Sequence, residues 1–149
     1  MQRRIMRDLI AWKGRRERRP LIVRGARQVG KTYLIEQFAR EHFDNLISIN
    51  FDKTPEKAGF LRNRDVSALL RLLEVDSGVV LAPGRTLVFL DEIQAAPEWI
   101  PMLRYFYEDR PDVHVIAAGS LLEFALSDHE FSMPVGRIEY LHMGPMTFE

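Results

Sequence analysis

The sequence predicts an α/β domain built on a mainly parallel five-stranded sheet with helices on both faces. Helical and strand patterns alternate along the whole chain, and the clearest strand patterns are short apolar runs of the kind buried in parallel sheets. A glycine-rich turn also joins the first strand to the helix that follows it.

Ile5, Leu9 and Trp12 recur at helical spacing, with Met6 and Ile10 beside them, so residues 2–13 read as an amphipathic helix with its arginines outward and Gly14 at its end. "PLIVRG" from Pro20 is the first strand, stopped by Gly25, and Ile35, Phe38, Ala39 and His42 share one face of a helix from Lys31 to about Phe43. "NLISINFD" from Asn45 reads as the second strand. Val66, Leu69, Leu70 and Leu73 then mark a helix with Asp65 as its N-cap. "TLVFLDE" is an apolar strand that ends in two carboxylates. A helix is expected to begin near Pro101, because proline fits the first turn. "DVHVIAAGS" returns to a strand pattern, Ser120 is placed to cap a short helix "LLEFAL", and "GRIEYLHM" from Gly136 supplies the fifth strand.

With 149 residues, 46% of them apolar and 28% charged, the chain can bury the core of one domain. It has no cysteine, which excludes disulfides and zinc–thiolate sites. No apolar run approaches the roughly 20 residues of a membrane-spanning helix. The expectation is a soluble, cytoplasmic protein with no membrane partner. Charge is uneven: residues 1–40 hold 12 Lys and Arg against 3 Asp and Glu, and the rest hold 9 against 18. "GRRERRP", Gly14 to Pro20, reads either as a solvated helix end or as a basic run that attracts nucleic acid, and no interleaved aromatics favour the second.

Gly25-Ala26-Arg27-Gln28-Val29-Gly30-Lys31-Thr32 fits G-x-x-x-x-G-K-[ST], placed between a predicted strand and a predicted helix. Glycines let backbone N–H groups turn toward phosphate oxygens, the helix offers its positive end, Lys31 supplies a mobile charge, and Thr32 supplies a hydroxyl for Mg²⁺. Gly25 to Tyr33 is therefore the candidate nucleotide-binding segment. At the end of "LVFLDE", Asp91 is placed to hold Mg²⁺ with Thr32, and Glu92 to act as general base toward water. Gln94 either helps to hold that water or caps the turn. Ser120 is a helix cap or a nucleotide-sensing group, and Arg137 is a surface arginine or a neutraliser of γ-phosphate charge, in cis or from a neighbouring subunit. His42, His114, His129 and His142 lack metal-ligand spacing and read as structural.

Taken together, "RGARQVGKT", "TLVFLDEIQ", "PEWIPMLRYFYED", "VIAAGSLLEFA" and "PVGRIEYLHMGPMTFE" resemble the prokaryotic AAA-type ATPases of unassigned role, over nearly the whole chain. In that family an N-terminal P-loop ATPase domain precedes a domain resembling a restriction nuclease. The resemblance implies an AAA-type P-loop core in which one strand separates the Walker B strand from the P-loop strand. It implies Lys31 and Thr32 as Walker A residues, Asp91 and Glu92 as Walker B residues, Ser120 near the sensor position and Arg137 as a finger-like arginine that joins subunits. Ala118 departs from the pattern, standing where a threonine often precedes the Gly-Ser pair. Residues 1–149 then read as an ATPase core that stops before its lid and C-terminal domain, with activity impaired for that reason.

The expected function is Mg²⁺-dependent binding of ATP or ADP and hydrolysis of ATP. The alternative is a nucleotide-gated signalling or nucleic-acid-handling switch with little turnover. A small-molecule kinase also uses a P-loop, but the adjacent Asp91 and Glu92 disfavour it, since a kinase needs no water-activating base.

Overall fold

The computed structural model describes residues 2–25, 30–62, 64–119 and 138–142. Helix α1, Gln2–Lys13, leads into strand β1, Leu21–Arg24, and then helix α2, Lys31–His42. Strand β2, Asn45–Asn50, is followed by a 3-10 segment, Pro55–Leu61, and helix α3, Val66–Ser77. Strand β3, Thr86–Asp91, runs into a single 3-10 turn, Ile93–Ala95, and helix α4, Trp99–Asp109. Strands β4, His114–Gly119, and β5, Glu139–His142, complete the sheet.

The strand order is β2-β3-β4-β1-β5, and every pairing is parallel. Strand β4 therefore lies between β1 and β3, as the resemblance implies. Parallel strands joined by helical crossovers are covered on both faces, and β3 and β4 are buried at every residue. Alternate residues of each strand serve opposite layers. Ile22, Ile47, Val88, Leu90, Val115 and Ala117 pack toward α3 and α4, whereas Leu21, Val23, Leu87, Phe89, Ile116 and Ala118 pack toward α1 and α2. Each large side chain so buried contributes about 1.5–3 kcal/mol relative to exposure.

The local signals act where the sequence places them. Asp65 Oδ1 accepts from the Ala68 amide at 2.8 Å and caps α3, and Gly78, at φ 73°, ends it in the left-handed region that glycine adopts freely. Helix α4 starts at Trp99, two residues before the expected point, which leaves Pro101 in the first turn where its missing N–H costs nothing. Strand β5 begins at Glu139 rather than near Gly136. The helix expected at "LLEFAL" and its cap Ser120 lie outside the described residues. No described helix is long and apolar enough to cross a membrane.

The basic N-terminal run is partly structural. Arg18 donates to the Pro111 carbonyl at 2.8 Å and lies over the Trp12 ring, whose Nε1 donates to Arg19 O at 2.7 Å. Arg15 pairs with Glu139, so this loop ties α1 to the sheet edge.

His114 opens β4 against α1, edge-on to both Trp12 and Phe43. Its Nε2 faces the Lys13 carbonyl at 3.3 Å and so carries the proton of the neutral ring, while buried Nδ1 has no partner among the described residues. Burial, together with the positive charge of Arg18, lowers its pKa from 6.5 to about 4. The fold therefore holds His114 neutral, and acid favours the unfolded chain once the pH falls below 6.5, until the folded ring itself protonates near pH 4. Urea titrations at pH 7.5 and 5 are expected to show about 2 kcal/mol lost to this residue, and His114→Phe to remove that part of the difference.

Candidate active site

All described strands point the same way, so the chain leaves β1 and β3 on one side of the sheet, where α/β folds hold ligands. The loop after β1 runs from Gly25 to Gly30. Ala26, Arg27, Gln28 and Val29 within it lie outside the described residues. Gly30 precedes α2 at φ 79°, a conformation that opens the helix start without steric cost.

Lys31 is the first residue of α2 and is buried, with 6% of its surface exposed. Its Nζ donates to the Gly25 carbonyl at 3.1 Å, so the ammonium spans the two ends of the loop. Burial lowers its pKa, opposed by the nearby carboxylates of Glu92 and then Asp91. Thr32, one residue on, donates its hydroxyl to Asp91 Oδ2 at 2.7 Å and links α2 to the last residue of β3. Tyr33 is 60% exposed and is not among the residues lining the cleft described below.

Asp91 is buried, and burial raises its pKa. The Thr32 hydroxyl opposes that shift, Glu92 adds to it by repulsion, and the Glu92 amide, which donates to Asp91 Oδ1 at 2.9 Å, and Lys31 oppose it. A carboxylate and a hydroxyl side by side are hard oxygen donors of the kind Mg²⁺ takes alongside water and phosphate. Among the described residues no group of three or more His, Asp or Glu could hold a metal ion. The donor set therefore fits Mg²⁺.

Glu92 lies at φ 54° and ψ 47°, the sole non-glycine residue with positive φ among the described residues. That conformation costs a residue with a Cβ roughly 1–2 kcal/mol, and such strain clusters at functional sites. Here it turns the chain sharply after Asp91, and Glu92 lines the cleft instead of continuing the strand. Gln94 Nε2 donates to Glu92 Oε2 at 2.5 Å.

Gly30, Lys31, Thr32 and Glu92 line one cleft of about 480 Å³ together with Asn50, Asp52 and Lys53. Asn50 ends β2, Asp52 and Lys53 lie in the turn after it, and none of the three was singled out in the sequence. Asn50 Oδ1 accepts from the amides of Asp52 at 2.9 Å and Lys53 at 3.0 Å, a turn that brings a second lysine to the cleft. An asparagine ending an apolar strand was the available signal. Ser120 and Arg137, candidates on the sequence, lie outside the described residues.

Solved structures share this architecture. The Walker-type ATPase PABY2304 of Pyrococcus abyssi superposes with a TM-score of 0.61 at 22% identity, over 98% of this chain and 54% of its own. PCH-2 of C. elegans gives 0.53 at 16% identity, over 95% of this chain and 42% of its own. The chain thus spans about half the length of these structures or less. No curated protein matches it. The model of the AAA domain family matches residues 17–149, from the basic loop through the glycine-rich turn and the carboxylate-ended strand to the last residue, so the chain belongs to the AAA domain family.

Proposed function

We propose that this domain binds ATP and ADP with Mg²⁺ and hydrolyses ATP. One observation carries the reading: Lys31, Thr32, Asp91 and Glu92, from two elements about 60 residues apart in sequence, meet at one cleft through the 2.7 Å contact of Thr32 with Asp91 and the shared lining of Lys31 and Glu92. The start of α2 and the flanking glycines receive the phosphates, and Lys31 exchanges the Gly25 carbonyl for a phosphate oxygen. Thr32 and Asp91 hold Mg²⁺, which neutralises phosphate charge when bound. Glu92 orients the attacking water and takes its proton.

Lys31→Ala tests the phosphate cradle. Loss of a hydrogen bond from a charged donor, worth about 1.5–3 kcal/mol, is expected to weaken ADP binding about 10- to 100-fold in calorimetric titration. Equal affinities in two folded proteins would remove the cradle.

The oligomeric and sensing roles belong to the same proposal. Arg137 serves the γ-phosphate of a neighbouring subunit, and Ser120 reports nucleotide state. A cytoplasmic setting suits a chain without cysteine.

A further inference from the structure

Glu92 is held by a contact that the reading above leaves unused. Gln94 sits in the 3-10 turn directly after it, and its Nε2 donates to Glu92 Oε2 at 2.5 Å. The orientation of the carboxamide follows from charge: an amide oxygen turned toward a carboxylate would be repelled, so the NH₂ faces Glu92 and Oε1 faces away. That oxygen is buried and has no hydrogen-bond partner among the described residues. It lies against Gly119, the last residue of β4, where a Cβ would come within 2.2 Å of it.

Gly119 has no positive φ to explain it, and its missing side chain is the space that the carboxamide fills. Strand β4 lies between β1, which leads to the phosphate loop, and β3, which ends at Asp91. The carboxamide therefore ties Glu92 to the end of the sheet's central strand. A general base oriented by a third group is a recurrent arrangement in hydrolytic sites. One carboxylate oxygen is engaged by Gln94, and the tether fixes the orientation of the carboxylate.

We propose that Gln94 is the positioning residue for Glu92, and that Gly119 is glycine so that the Gln94 carboxamide can pack against the end of β4. The role rests on the assignment of Glu92 as general base. Gln94 touches neither nucleotide nor water in this scheme and acts through Glu92 alone.

Gln94→Met keeps the length and removes the donor. Gly119→Ala places a methyl where Oε1 lies, and because the carboxamide is the far end of a flexible side chain, it is dislodged without a large backbone change. In the full-length protein each substitution is expected to lower kcat about 10- to 100-fold, the scale for a misplaced catalytic group, with KM and ADP affinity changed by less than about twofold. The double variant is expected to be no slower than Gln94→Met, since the two changes break one contact. Thermal melts verify folding, and Gln94→Met, at a half-buried position, covers the case in which Gly119→Ala does not fold.

A second readout is independent of turnover. In nitrogen-15 spectra of the nucleotide-free protein, one Gln94 side-chain amide proton should be protected from exchange, and that protection should disappear in Glu92→Ala and in Gly119→Ala. Parental kcat in Gln94→Met, or independent additive losses in the double variant, would overturn the proposal. A wild-type protein that releases no phosphate would take the hydrolysis reading down and the positioning role with it, and the amide signal would still decide whether the contact exists.

Discussion

Glu92→Gln lowers ATP turnover about 10²- to 10⁴-fold, the usual worth of a general base, and leaves ADP affinity close to the parental value. The amide keeps the size of the carboxylate, and its oxygen can still accept from Gln94, so the left-handed turn at φ 54° and the cleft lining need not change. What is lost is the capacity to take a proton from water. Phosphate release and calorimetry on the same full-length samples make the comparison. A parental rate in the variant would reduce Glu92 to a carboxylate at a strand end. A wild-type protein that binds ATP tightly but turns over once in many minutes would favour the nucleotide-gated switch.

The elements were legible because their signals are local. Asp65 and Gly78 bracket α3 through contacts three or four residues away, and the short apolar runs at Leu21–Val23 and Leu87–Leu90 fit strands buried on both faces. The strand order was not local. That β4 separates β1 from β3 came from family resemblance, since apolar runs alone do not say which strand pairs with which.

The site divides the same way. Lys31, Thr32, Asp91 and Glu92 stand in two short patterns whose spacing and context identify them. Asn50 and Lys53 reach the cleft only because β2 pairs with β3 in a register that sets Asn50 opposite Asp91. The left-handed backbone of Glu92 has no sequence signature, because glutamate, unlike Asn or Gly, has no leaning toward that region. The fit of Gln94 against Gly119 joins the turn after β3 to the end of β4 and becomes visible only once side chains are packed.

Arg137→Ala in the full-length protein is expected to lower phosphate release by about 10³-fold or more at saturating ATP, the contribution of such an arginine in P-loop enzymes, with nucleotide binding little affected. The arginine serves either the cleft of its own subunit or that of a neighbour. Mixing decides between the two. Arg137→Ala and Lys31→Ala proteins, each inactive alone, should together regain part of the parental activity, because some interfaces then combine an intact cleft with an intact arginine. Loss in the single variant without recovery in the mixture would place the arginine in cis, and full activity in Arg137→Ala would return it to the ordinary surface.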